Sequence, residues 1–141
     1  MRAEIRVLEP DIVAITESWV DERISDEELH IEGYGILRKD RKLEIKGGGV
    51  ILYVKDNLMV SEIELQNEFP EQLWCKLKFK GHRELLIGVC YRTPTENGAH
   101  KQVREMIEEV SNSDFILMGD FNYTGIDWIN CCDSSASIRC F

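Results

Sequence analysis

The chain has 141 residues, 43% of them hydrophobic, which suits one compact domain with a real core, or a piece of a larger one. Charged residues make up 30% and the formal net charge is −9. That balance argues against a protein that coats nucleic acid through phosphate neutralisation, but weighs less against a site whose carboxylates hold a cation.

Met1 to Leu8 reads as the end of a helix, with Ala3, Val7 and Leu8 as a partial apolar face and Pro10 as its stop. Asp11 to Thr16 is apolar, β-branched and bounded by polar residues, the pattern of a buried strand. Ser18 is placed as a helix N-cap with Asp21 three residues on, and residues 19–30 as a short helix or irregular loop. Tyr34 to Arg38 reads as a strand, followed by a basic stretch of Arg38, Lys39, Arg41, Lys42 and Lys46. Gly47 to Gly49 marks a flexible turn, Val50 to Val54 a second apolar strand, and Met59 to Leu65 another strand beyond a turn at Asp56-Asn57.

Leu73, Cys75, Leu77 and Phe79 alternate with Trp74, Lys76, Lys78 and Lys80, the period of a half-buried antiparallel strand. Gly81-His82 is a hairpin turn, and Leu85 to Tyr91 runs apolar, as a strand buried on both faces does. Val103, Met106, Ile107 and Val110 sit at helical spacing, so residues 97–110 form an amphipathic helix. Phe115 to Met118 is the next buried strand. The order of elements makes a layered α+β structure with helices over sheets. Two units are expected, a domain over residues 1–129 and an irregular tail over 130–141.

Five cysteines are present, Cys75, Cys90, Cys131, Cys132 and Cys140, with no zinc spacing of the CxxC type. Cys75 and Cys90 fall in strand patterns and read as core residues. No basic-then-apolar leader and no apolar run of about 18 residues occurs, so neither a signal peptide nor a membrane span is expected. A reducing intracellular compartment fits, without a choice between nucleus and cytoplasm.

Three apolar strands end in polar groups: the first delivers Glu17, the second Tyr91, and the third Gly119, Asp120 and Asn122. Carboxylates at strand ends suit a hard cation, because Mg²⁺ takes one or two carboxylates and completes its shell with waters and phosphate oxygens. The glycine before Asp120 permits a sharp bend, and Asn122 adds an amide without adding charge.

These residues carry a family resemblance. DIVAITESWV at 11–20 is similar to the metal-glutamate strand of the endonuclease/exonuclease/phosphatase superfamily, and GGGVILYVKDNL at 47–58 looks like the following core hairpin of its retrotransposon-type members. LLIGVCYRTPT at 85–95 resembles the tyrosine strand, and FILMGDFNYTGIDW at 115–128 the GDFN strand with its sequel. Their order and spacing agree over roughly residues 3–129, and they are most similar to the endonuclease domain of non-LTR retroelements.

The resemblance implies a four-layer α/β/β/α sandwich, incomplete at both ends. It also implies Mg²⁺- or Mn²⁺-dependent hydrolysis of a phosphodiester, with DNA as substrate and no membrane partner; it leaves the oligomeric state open. Glu17 matches the metal-binding glutamate and Tyr91 the tyrosine on the scissile phosphate. Asp120 matches the aspartate that aligns or deprotonates the attacking water, and Asn122 the asparagine that supports it. Arg41 and Arg92 are the candidate substrate-binding cations. The family also has an early strand with a metal-site asparagine and a late aspartate-histidine pair, and nothing in this chain resembles either. Losing one such electrostatic group costs about 10²–10³-fold in rate, so the chain alone is expected to be impaired. A noncatalytic remnant or binding module, or a phosphatase for small phosphoesters, are the alternatives.

Plainer roles stand beside these. Glu17 also suits a helix dipole, Tyr91 a hydrogen-bonded core aromatic, and Asp120 with Asn122 an ordinary turn. The basic stretch reads more readily as a solvated loop than as a track for a nucleic-acid backbone, and Trp128 as a loop residue that packs. His30, His82 and His100 read as surface residues.

Overall fold

The computed structural model describes residues 2–42, 47–67, 69–79, 81, 84–93, 99–122, 126–127 and 132–133. Two β-sheets stack face to face, each carrying helix or loop on its outer side, which is the expected α+β sandwich.

The first sheet has the order β1-β3-β2 and is antiparallel throughout: β1 (Ile12–Thr16), β2 (Tyr34–Lys39) and β3 (Val50–Lys55). The second has the order β4-β5-β6-β7: β4 (Met59–Ile63), β5 (Gln72–Lys78), β6 (Leu85–Tyr91) and β7 (Asp114–Asp120). Here β6 and β7 are parallel, which needs a crossover, and helix α3 (Ala99–Val110) supplies it.

The alternation of side chains sorts each strand between two cores. Val50, Leu52 and Val54 of β3 meet Leu73, Cys75 and Leu77 of β5 and Ile87, Val89 and Tyr91 of β6 between the sheets. Trp74, Leu86 and Cys90 point the other way, onto Val103, Met106 and Val110 of α3. Ile51 and Tyr53 pack outward against Ile5, Val20 and Ile31.

Several expectations change. Helix α1 (Arg2–Leu8) buries only Ile5, while Val7 and Leu8 are 81% and 76% exposed. A helix of two turns ended by Glu9 in the left-handed region (φ 44°) and Pro10 docks through one side chain, not a stripe. Ser18 caps no helix. The helix of this segment is α2 (Asp26–Leu29), capped at Ser25, whose N–H donates to the Glu28 carboxylate at 3.1 Å.

Strand β5 is buried on both faces through Cys75, because α3 covers Trp74, and only Lys78 at its end is exposed. Trp74 lies opposite Gly88, where a Cβ would sit 2.6 Å from the indole, so the glycine makes room for the ring. Strand β7 is half-exposed, not buried: among the described residues it pairs only with β6, and Ile116 is 48% exposed. The expected tail contains β9 (Cys132–Asp133), which pairs antiparallel with β8 (Ile126–Asp127). A ladder of two residues is too short to print a period on the sequence. The other tail residues, His82 and Trp128 lie outside the described residues, as does the side chain of His100.

Candidate active site

Parallel pairing brings the C-terminal ends of β6 and β7 side by side, with Tyr91 in register with Asp120. The sandwich then brings the end of β1 to the same place from the other sheet. The Tyr91 hydroxyl donates to Glu17 Oε1 across the gap between the sheets. Four strand-end residues expected from the sequence are thus brought together here: Glu17, Tyr91, Asp120 and Asn122.

The local geometry at β7 depends on Gly119. Its φ is +147°, and a Cβ there would collide with the Cys90 carbonyl oxygen. That approach is open only to glycine and lets the chain turn directly after the ladder. Asp120 continues the pairing, its carbonyl accepting from Arg92 N–H at 2.9 Å. The turn closes on itself: Asp120 Oδ1 accepts from Asn122 N–H at 3.1 Å, and Asn122 Nδ2 donates to the Arg92 carbonyl at 2.8 Å. Asn122 sits at φ +48°, a conformation asparagine tolerates better than most.

Arg92 is buried, and its Nη1 donates to the carbonyls of Phe121 and Asn122 at 3.1 and 2.7 Å. The guanidinium braces the turn that carries Asp120. Arg41 lies further out. Its Nη2 is 3.4 Å from the buried Asp21 carboxylate, and its guanidinium lies over the Trp19 ring, 5.8 Å from the centroid. Asp21 also accepts from Arg23 Nε and Nη2 at 2.8 and 2.6 Å, which holds its carboxyl well below the usual carboxylate range.

Glu17 is presented by a strained loop. Glu17 and Trp19 have φ of 49° and 58°, which costs on the order of 1–3 kcal/mol per residue and persists only where the surroundings impose it. The triple glycine imposes it here. Ser18 and Trp19 N–H donate to the carbonyls of Gly49 and Gly48, each at 3.1 Å. All three glycines have positive φ and are buried, so the expected flexible turn is a fixed cradle. A Cβ on Gly49 would press to 2.5 Å of Ser18 Oγ.

Sequence reasoning missed Glu71. Its carboxylate accepts from Gly49 N–H at 2.8 Å, and its carbonyl accepts from Tyr91 N–H at 2.9 Å. It therefore ties the glycine cradle to the tyrosine strand, one sheet to the other. A lone glutamate before a strand matches no motif, so only the contact between sheets reveals it.

The phenol of Tyr91 is pushed up to about 12, first by burial, then by its bond to Glu17 and by the charges of Glu17, Asp120 and Glu71. It stays a neutral hydrogen-bond donor at any ordinary pH. Cys90 and Cys75 are core thiols raised by burial to about 12 and about 11. His30 is exposed at the end of α2.

The donors around Tyr91 are carboxylate oxygens, the chemistry that suits Mg²⁺ or Mn²⁺ rather than zinc or copper. Among the described residues, no three His, Cys, Asp or Glu side chains form a ready-made cage. Mg²⁺ does not require one, since it is commonly held by one or two carboxylates with waters and phosphate oxygens. Glu17, exposed at its strand end, fits that mode.

Two stacked sheets thus bring acidic and amide groups together at adjoining strand ends. The sequence profile of the Endonuclease/Exonuclease/phosphatase family matches residues 1–131, and the chain belongs to that family. No curated protein sequence matches it significantly. The fold is similar to the endonuclease domain of TRAS1, a telomere-specific non-LTR retrotransposon, at 14% identity and a TM-score of 0.62 over 85% of this chain and 50% of that one. It is similar to the AP endonuclease LMAP from Leishmania major at 18% identity and a TM-score of 0.64, over 84% and 48%. It is also similar to ANGEL2, a 2′,3′-cyclic phosphatase, at 16% identity and a TM-score of 0.58, over 90% and 43%. The chain thus spans about half the length of the solved structures it resembles. No helix among the described residues is long and apolar enough to cross a membrane.

Proposed function

We propose that this chain carries the metal- and water-positioning half of a Mg²⁺- or Mn²⁺-dependent phosphodiesterase site that acts on DNA inside the cell. The observation that supports it most is the meeting of Glu17, Tyr91 and Asp120 at one end of the sandwich, with Tyr91 bonded to Glu17 across the sheets. Glu17 holds the cation, which when bound supplies positive charge to the phosphate and the leaving oxygen. Tyr91, kept protonated, turns its single O–H from Glu17 to a phosphate oxygen once cation and substrate are bound. Asp120 accepts a proton from water and aligns it for in-line attack. Asn122 fixes that carboxylate through its backbone N–H. Arg92 reaches the substrate only through the turn it braces, whereas Arg41 faces the phosphate backbone from the outer loop.

Turnover by these groups is slow, because among the described residues the charges that act on Tyr91 are the carboxylates Glu17, Asp120 and Glu71, not a cation that would stabilise the phosphate. Small phosphoesters are the second reading, favoured by the likeness to a 2′,3′-cyclic phosphatase. The assay is nicking of supercoiled plasmid under excess protein, with a 2′,3′-cyclic nucleotide in parallel. Slow nicking that needs Mg²⁺ or Mn²⁺ and disappears in Asp120→Ala and Glu17→Gln supports the proposal. No nicking, or nicking that survives both substitutions, refutes it and leaves the noncatalytic reading. Turnover of the cyclic nucleotide alone moves the substrate to the second reading.

A further inference from the structure

Trp19 is 48% exposed, two residues beyond Glu17, in a chain that buries Trp74 almost completely. A half-exposed indole leaves part of a large apolar face in water, available to a planar partner. Its backbone is also held where a bulky residue is strained, at φ +58°, by the bond from its N–H to the Gly48 carbonyl. Together these features fix an indole at the rim of the site.

The ring is preorganised as well. Arg41 lies over it, 5.8 Å from the centroid, and Arg41 is itself anchored on Asp21. Gly47 lies beside the ring, with Cζ2 4.0 Å from where a Cβ would stand, so no side chain there competes for the space. The same glycine cradle runs through Gly49 and Glu71 to Tyr91, so the ring and the phosphate-facing groups share one rigid support.

Resting on the proposed phosphodiesterase site, we infer that Trp19 is a stacking platform for an unpaired nucleobase flanking the scissile phosphate. A flat aromatic face takes any base, because every base has a π-face, and the neighbouring guanidinium adds a cation to the stack. The net charge of −9 weakens capture through phosphates, so a contact independent of phosphate charge matters more here. A base inside a duplex has both faces covered, and so an unpaired one is selected.

The test measures anisotropy of two labelled oligomers of equal length and charge in Ca²⁺, oligothymidylate and an oligomer of abasic tetrahydrofuran units. Trp19→Ala is expected to weaken oligothymidylate about tenfold, near the low end for losing a stacked base, and to leave the abasic oligomer unchanged. Trp19→Phe is expected to retain most of the affinity while losing the quenching of indole fluorescence that oligothymidylate causes in the unaltered chain. Equal weakening on both oligomers, or none on either, overturns the platform and makes Trp19 a cover for the Arg41–Asp21 pair. If Trp19→Ala does not fold, the phenylalanine variant decides: quenching that persists in it overturns the inference. Failure of the phosphodiesterase reading is distinguishable, because it shows as absent plasmid nicking by the unaltered chain, whereas failure of the platform shows only in the comparison of the two oligomers.

Discussion

Replacing Gly119 with alanine adds one methyl group where β7 crosses the Cys90 carbonyl, in a ladder position between Cys90 and Gly119. The new Cβ would also stand 2.9 and 3.0 Å from Cys90 C and N, so no side-chain rotation relieves it. The strand must retreat by on the order of an ångström, enough to break the neighbouring ladder bonds. Backbone strain at φ +147° costs about 1–3 kcal/mol, and forcing extra volume into packed surroundings about 1–3 kcal/mol more. The sum is roughly 2–6 kcal/mol, a large part of the 5–15 kcal/mol typical of a domain. With an m-value of about 2 kcal/mol/M, the urea midpoint should fall by about 2 M.

Gly81→Ala is the control. Its φ is +77° with nothing within 4 Å of the added Cβ, so only the left-handed penalty of about 1–2 kcal/mol applies. Far-ultraviolet circular dichroism in urea compares the two. If Gly119→Ala costs no more than Gly81→Ala, the close approach does not shape the Asp120 turn.

Cys75 and Cys90, raised by burial to about 11 and about 12, should resist iodoacetamide at pH 8 in the folded chain and react fully in urea; peptide mass spectrometry reads both sites, and native labelling at the rate of a free thiol would count against their burial. Tyr91, raised to about 12 from an ordinary value near 10, adds stability that is complete below about pH 10 and is lost as pH rises through about 12. Its late phenolate absorbance should vanish in Tyr91→Phe and move to lower pH, yet stay above the ordinary value, in Glu17→Gln, where burial still acts; an unshifted titration in Glu17→Gln would remove the bond between them.

The sequence by itself determined strands β1 to β7 and their order, because apolar runs bounded by polar residues bury one way or another whatever they pack against. The amphipathic helix Ala99–Val110 and the core status of Cys75 and Cys90 follow from the same local periodicity. It also marked Glu17, Tyr91, Asp120 and Asn122, since a polar group that ends a buried strand stands out from its own neighbours. What depends on partners distant in the chain was decided only by the tertiary structure. Trp74 is buried because α3 covers it, and Ile116 is exposed because, among the described residues, β7 lies at a sheet edge.

The glycine cradle reads as slack in sequence, yet it is fixed by carbonyls that take Ser18 and Trp19, and by Glu71 from the other sheet. Arg92 reads as a phosphate ligand beside Tyr91, and the tertiary structure adds that its Nη1 donates to two carbonyls about thirty positions away. Spacing along a strand records which face a side chain takes. It holds no record of what the opposing sheet brings to meet it, and that meeting is what joins Glu17 to Tyr91.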